Sequence, residues 1–257
     1  MELQTLTERL DDELDTAAYA DVDASPNGLQ VGPESGEIDH VAVAVDAAEA
    51  TVAAAAEAGA DLLLTHHGIV WGGMERLTGT HYRRMAPLVE QDLSLYVSHL
   101  PLDGHPELGN AAGLADLLDL GNRAPFGEIG PEYVGQRGWA PGGYTAAELE
   151  SVLADELDTG GQPVQVLDHG PEELRDVAIV TGDGSDYVDE AAAKGVDVLV
   201  TGEAKQKTYH EAREVDLTVA LAGHYATETF GVRNLQSLVD DWDEPLETTF
   251  FDVPTGI

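Results

Sequence analysis

The 257-residue chain contains no cysteine, which excludes disulfides, thiolate metal sites, iron–sulfur clusters and cysteine nucleophiles. Any metal must sit on histidine, carboxylate and water. Basic residues are scarce as well: 12 Lys and Arg stand against 49 Asp and Glu, for a formal net charge of -37, and the lysines are Lys194, Lys205 and Lys207 alone. A nucleic-acid backbone requires a basic footprint, and its lack excludes nucleic acid as a partner. Long apolar runs are missing too. No stretch approaches the ~20 residues of a membrane span, and Met1–Thr5 lacks the basic-then-apolar order of a signal peptide. A soluble, cytoplasmic chain without a membrane partner is expected.

The acidic residues are spread through every segment rather than gathered in a tail, so they read as a whole-surface adaptation, not as a disordered arm. At low salt such a surface repels itself, whereas molar salt shortens the Debye length to about 3 Å and removes most of that repulsion. The composition therefore predicts the salt-rich cytoplasm of a halophile. The length suits one large domain or two smaller ones with an ample core.

Against these absences stands Leu62-Leu63-Leu64-Thr65-His66-His67-Gly68, an apolar, strand-like run that delivers two adjacent imidazoles into a glycine turn. Imidazole is the commonest protein metal ligand near neutral pH. Side chains alternate across a strand, so the two rings can serve two neighbouring ions. Before this run, Leu3, Leu6, Leu10 and Leu14 predict an amphipathic N-terminal helix, and Pro26 with Asn27-Gly28 predicts a turn that Asn27 and Gln30 tie together. Val41–Asp46 reads as a buried strand, and an alanine-rich helix over 47–58 stops at Gly59. With the histidine strand this makes a βαβ unit, which gathers loop residues at the carboxyl ends of parallel strands. Asp46 and the histidine pair should be neighbours.

A helix over 80–91 follows, with His81 read as structural or solvent-facing. The strand 93–98 then ends in His99-Leu100-Pro101-Leu102-Asp103, again delivering histidine and carboxylate into a loop. Asn110 begins a helix and reads as a cap or helix-end contact. From about Asn122 the sequence turns Gly- and Pro-rich, which places a lobe boundary there: one lobe over 1–121 plus 218–257, the other over 122–217. Thr145 and Glu148 fit a capping box, and Val164–Leu167 reads as a strand.

The chain looks duplicated. Ala58–His66 aligns without gaps on Lys194–Gly202, and the strands beginning at Val41 and Val177 fall into the same register. Where the first copy has Asp46, His66 and His67, the second has Gly182, Gly202 and Glu203. A βαβ scaffold that exists in one chain without the histidines does not need them for folding, which argues that the histidines serve a site. The loop Thr181–Asp186 reads as a plain βα turn, because the full three-glycine phosphate-binding pattern is missing. Thr201-Gly202-Glu203 and His210 are candidates to line the same cleft. After a strand over 217–222, His224 and Glu228 stand four residues apart, which on a helical turn puts both on one face. Alone that spacing reads as a surface pair.

Together His66, His67, Asp103, His224 and Glu228, with His99 nearby, are too many donors for one catalytic zinc, which keeps three protein ligands and an open position. They fit two ions about 3.5 to 4 Å apart, bridged by a carboxylate and a water or hydroxide. The mixed donor set suits zinc, iron, manganese, cobalt or nickel and does not choose among them.

The ordered set N-G-L-Q at 27–30, H-H-G at 66–68, H-x-P-L-D at 99–103, T-G-E at 201–203 and G-H-Y-x-T-E at 223–228 resembles the Nif3-like dinuclear metal-centre proteins, also known as type 2 GTP cyclohydrolase I homologues. The resemblance covers almost the whole chain, in the short form without an inserted domain. It implies an α/β Nif3-like fold of two similar lobes, each a central sheet flanked by helices. It also implies two divalent metal ions per subunit on His66, His67, Asp103, His224 and Glu228, with Glu228 or Asp103 as the bridge and His99 as a ligand or behind the ligands, whereas Asp46, placed beside the histidine pair by the βαβ unit, is a candidate to stand behind them. The implied assembly is a ring-shaped homohexamer with its metal sites facing inward. The implied activity is that of a GTP cyclohydrolase, in which metal-activated water opens the guanine imidazole ring of a nucleotide substrate and releases formate. Metal trafficking and a metal-stiffened regulatory scaffold are the alternatives. Arg83 and Arg84 are adjacent and form no phosphate clamp.

Overall fold

The computed structural model describes residues 1–257, which form two compact units: Met1–Leu102 with Gly231–Val253, and Asp103–Phe230 with Pro254–Ile257. In chain order the first unit carries α1 (Leu3–Glu13), β1 (Gly28–Val31), β2 (His40–Asp46), α2 (Glu49–Glu57), β3 (Leu62–His67), α3 (Thr80–Glu90) and β4 (Ser94–Val97). The short α4 (Leu100–Gly104) leads into the second unit. That unit carries α5 (Asn110–Leu117), β5 (Gly121–Ile129), β6 (Glu132–Tyr144), α6 (Ala146–Glu156), β7 (Gln165–Leu167) and β8 (Leu174–Ile179). It continues with α7 (Val188–Lys194), β9 (Val198–Thr201), α8 (Thr208–Glu214), β10 (Thr218–Leu221) and α9 (His224–Thr227). Helix α10 (Thr229–Asp240) and β11 (Glu247–Phe250) complete the first unit. The class is mixed α/β, with two sheets flanked by helices.

The first sheet has the order β1-β4-β3-β2-β11. Strands β11, β2, β3 and β4 run parallel and β1 is antiparallel to β4. Its central strands are apolar through Val41–Val45 and Leu62–Leu64, as expected where helices cover both faces of a parallel sheet. Val41–Val45 and Leu62–Leu64 are all at most 1% exposed. On one side Ala42, Ala44, Leu63, Leu95 and Val97 join Val52 and Ala55 of α2 and Leu88 of α3 in a single core. The spacing of Leu3, Leu6 and Leu10 is that of an amphipathic helix, and all three are buried in α1.

The second sheet has the order β5-β6-β8-β9-β10-β7, with β8, β9 and β10 parallel. The Gly- and Pro-rich stretch from Asn122 is regular structure. It is the antiparallel hairpin β5–β6, turned at Gly130-Pro131, with β6 paired to β8. Its glycines mark close approach of strands: a Cβ on Gly135 would lie 2.1 Å from the Ile179 carbonyl oxygen. Helix α5 sits in this second unit, because Ala111, Leu114 and Ala115 pack with Leu149, Val177 and Val198 in its core. The unit boundary thus falls inside the His99–Asp103 segment, ahead of residue 122.

The internal repeat extends to individual hydrogen bonds. The Asp61 carboxylate accepts from the Asp39 and His40 amides at 2.9 and 3.0 Å, and Asp197 accepts from the Arg175 and Asp176 amides at 2.9 and 2.8 Å. The Gly-x-Asp turn is therefore a device that ties the start of one strand to the start of its parallel neighbour. Further along, Ser98 N donates to Thr65 O as Ala222 N donates to Thr201 O. Both βαβ units end at a threonine from which the next segment carries candidate ligands. No helix is long and apolar enough to cross a membrane.

Candidate metal centre

In the first unit β3 and β4 end side by side, and this brings His66, His67 and His99 together. One potential ligand atom of each lies within 4.8 Å of the others. The ring centroids are 4.5 Å apart for His66 and His67, 5.1 Å for His66 and His99, and 5.6 Å for His67 and His99. His66 is fully buried. Each ring is held through Nδ1. His66 Nδ1 donates to the Ser98 carbonyl, His67 Nδ1 to Asp46 Oδ1 and His99 Nδ1 to Asp23 Oδ1, all at 2.9 Å. A histidine that donates one ring N–H to a carbonyl or carboxylate has its tautomer and orientation fixed, and its other nitrogen is the ligating one. Asp46 lies opposite His67 in the parallel register, as the βαβ reading requires.

Asp23 does more than orient His99. It also accepts from the Ser25 amide at 2.8 Å, the Leu100 amide at 3.0 Å and the Asn27 side-chain amide at 2.8 Å. Burial works to raise its pKa, but the bonds and charge of His99, with Asn27 and Ser25, outweigh it and hold the carboxyl below its ordinary value. Asn27 and Gln30 tie their own turn, through Asp23, Ser25 and Pro26, and also reach both histidine loops. Asn27 Oδ1 accepts from His99 N at 2.7 Å, and Gln30 Oε1 accepts from Ile69 N at 3.1 Å.

In the second unit His224 opens α9 after Gly223, and His224 Nε2 faces Glu228 Oε1 at 3.2 Å. The pair is no surface pair, for Glu228 is 3% exposed. His224 Nδ1 bonds Glu203 Oε1 at 2.9 Å, which repeats the pattern of the first unit. Burial would push the His224 pKa down, but bonding and attraction to Glu228 and then Glu203 overcome it and push it up to about 9. Asp103, 7% exposed, accepts from Asn110 Nδ2 at 2.9 Å and Thr181 Oγ1 at 3.2 Å. Asn110 therefore positions a carboxylate rather than capping α5, whose N-cap is Gly109.

The glycines of the second copy acquire a reason. A Cβ on Gly182 would lie 2.3 Å from Glu228 Oε1 and 3.1 Å from His224 Nε2, and one on Gly202 would lie 2.6 Å from His224 Cα. Positions that hold Asp46 and His66 in the first copy are emptied in the second to admit His224 and Glu228. Gly182 and Thr181 shape the site, whereas His210 sits exposed on α8 against Tyr209 and belongs to none of the donor groups. Sequence reasoning missed Asp23 and Glu203 as orienting groups. The T-G-E motif marked Glu203, but nothing local marked Asp23, which is 76 residues from its histidine.

The donors fit divalent metal: imidazoles with directed tautomers, buried carboxylates and a glycine-lined space at the His224–Glu228 pair. Residues 1–255 match the family Duf34/NIF3 (NGG1p interacting factor 3). The chain belongs to the Duf34/NIF3 family. It is 54% identical over 257 residues, all of both chains, to a protein of Halobacterium salinarum named "GTP cyclohydrolase 1 type 2 homolog". A Pyrococcus abyssi protein of the same name is 38% identical, again over all of both chains. Among solved structures, TTHA1606 from Thermus thermophilus is similar at a TM-score of 0.89 and 35% identity, covering 100% of each chain.

Proposed function

We propose that the chain is a metal-dependent hydrolase that binds two divalent ions on His66, His67, Asp103, His224 and Glu228 and opens the guanine imidazole ring of GTP with release of formate. The observation that carries the metal reading is the repeated Nδ1 anchoring of His66, His67, His99 and His224. The names of the relatives support the reaction. Bound divalent ions would supply Lewis acidity, lowering the pKa of water and polarising the purine. The chain's own residues do the rest: Ser98 O, Asp46, Asp23 and Glu203 orient the imidazoles, and Asn110 and Thr181 hold Asp103. His99, grouped geometrically with His66 and His67, joins or supports that set.

A second reading, a metal-trafficking or metal-insertion protein, draws on the charge. Arg9, Arg83, Arg123, Arg137, Arg175 and Arg233 are each tied to a carboxylate, so they form no ready clamp for a triphosphate. Metal analysis of protein purified in high salt, followed by formate release from GTP with each metal, separates the two. His66→Ala and Glu228→Ala should lose bound metal and all turnover while the fold survives. Fast metal transfer to a competitor without turnover would favour trafficking, and well below two ions per chain would sink the dinuclear site. By resemblance the assembly is a homohexamer, which the mass in high salt tests.

A further inference from the structure

Four residues beyond His67, Trp71 stands at the rim of the histidine cluster of the first unit. Its ring meets His99 edge to face at 5.0 Å and lies 6.0 Å from His67. The loop around it is pinned on both sides: the Ile69 and Val70 amides donate to Gln30 Oε1, and Gly72 N donates to Ala24 O at 2.7 Å. The indole is nevertheless 45% exposed. A tryptophan gains much from full burial, so a loop anchored to keep one half open beside a set of metal donors points to a ligand that covers it. Next to it opens a hollow of about 370 Å³ lined by Ile69, Trp71, Met74, Glu75, Arg76 and His81, within the size range of small-molecule sites. Six arginines are tied to carboxylates, whereas Arg76, like Arg84 and Arg213, is in no such ion pair, and of these three only Arg76 lines the hollow. In a chain of net charge -37, a guanidinium outside any ion pair and an imidazole from the first turn of α3 on one hollow are a provision for an anion.

A planar aromatic for stacking, an apolar floor and a cationic lip together match one ligand class. We infer that this hollow binds a purine nucleotide, with Trp71 stacked on the base and Arg76 and His81 meeting phosphate oxygens. The inference rests on the nucleotide-hydrolase reading and supplies the substrate contacts it otherwise lacks. Stacking on aromatic side chains is tolerant of base identity, and arginine matches phosphate geometry through paired N–H donors.

The test is equilibrium binding in molar KCl of GTP, guanosine and inorganic triphosphate to the metal-loaded protein and to the Trp71→Ala, Trp71→Phe and Arg76→Gln variants, with metal content and subunit mass measured on each. Trp71→Ala should weaken GTP and guanosine alike by about tenfold or more, and Trp71→Phe should restore most of the affinity. Arg76→Gln should weaken GTP and triphosphate and leave guanosine unchanged. Unaltered GTP affinity in Trp71→Ala, or no GTP binding by the parent protein, overturns the inference. So does loss of metal in Trp71→Ala, which would make the indole a prop for His99, or a changed subunit mass with unchanged affinity, which would make it a subunit contact. Binding is read separately from turnover. Trp71-dependent binding without formate release would end the hydrolase reading and leave the hollow standing, whereas formate release abolished by His66→Ala but indifferent to Trp71→Ala would do the reverse.

Discussion

At the scale of single residues the recurring unit is a histidine whose Nδ1 is committed to an oxygen acceptor. Asp46 and Glu203 perform this for His67 and His224 without sitting among the proposed ligands. Asp46→Ala and Glu203→Ala should each lower metal affinity by about 10- to 100-fold, measured by competition with a chelator, while circular dichroism stays that of the parent. Unchanged affinity in both would show that the rings are oriented by packing alone. His224 also makes the metal-free protein sensitive to pH. Its folded pKa is raised from 6.5 to about 9, so it binds a proton more tightly folded than unfolded. The stability it contributes is fully present below pH 6.5 and is lost as pH rises through about 9. Denaturant unfolding of the metal-free protein in constant high salt should show that decline, and His224→Gln should flatten it.

At the scale of elements the protein is built twice from strand, helix, Gly-x-Asp turn and strand. The turn carboxylates of Asp61 and Asp197 each accept from two backbone amides at or just before the start of the preceding strand. Both are partly accessible, so water can replace some of what is lost. Asp61→Ala and Asp197→Ala should each cost about 1–3 kcal/mol, read as a lower denaturation midpoint, with Asp61→Asn and Asp197→Asn retaining part of it. A neutral result would mean that strand pairing alone sets the register. The α/β class, β2, β3, β8 and β9, the capping box of Thr145 and Glu148 and the duplication were all readable from sequence, because apolar runs, caps and turns are local patterns. The hairpin β5–β6 was not, because its glycines look like loop residues until the close approach of Ile179 O is seen. Nor was the placement of α5, which the core around Leu149 and Val177 decides.

At the scale of the whole molecule the dominant quantity is charge. A net charge of -37 over 257 residues sets up self-repulsion that only screening relieves, and at molar salt the Debye length is about 3 Å. Thermal stability should therefore rise from low salt to molar KCl, measured by the unfolding midpoint across a salt titration. A protein at least as stable without salt would remove the halophilic reading. The same screening bears on anions: GTP binding in the Trp71 hollow should need salt to relieve general repulsion and then weaken as salt competes for Arg76.

The sequence alone limited which ligands a metal could find in this chain. Without cysteine, and with histidines and carboxylates at successive strand ends, the donor set could be only imidazole and oxygen, and the repeat separated the donors from the scaffold. Family membership followed from ordered motifs, which survive in sequence because spacing along the chain is local information. Only the tertiary structure decided which acceptors hold each ring, that Asn110 serves Asp103, that Gly182 and Gly202 make room for His224 and Glu228, and that Trp71 stays half open. Those contacts join residues such as Asp23 and His99, 76 positions apart. Their geometry exists only after each sheet has set the ends of its own parallel strands side by side.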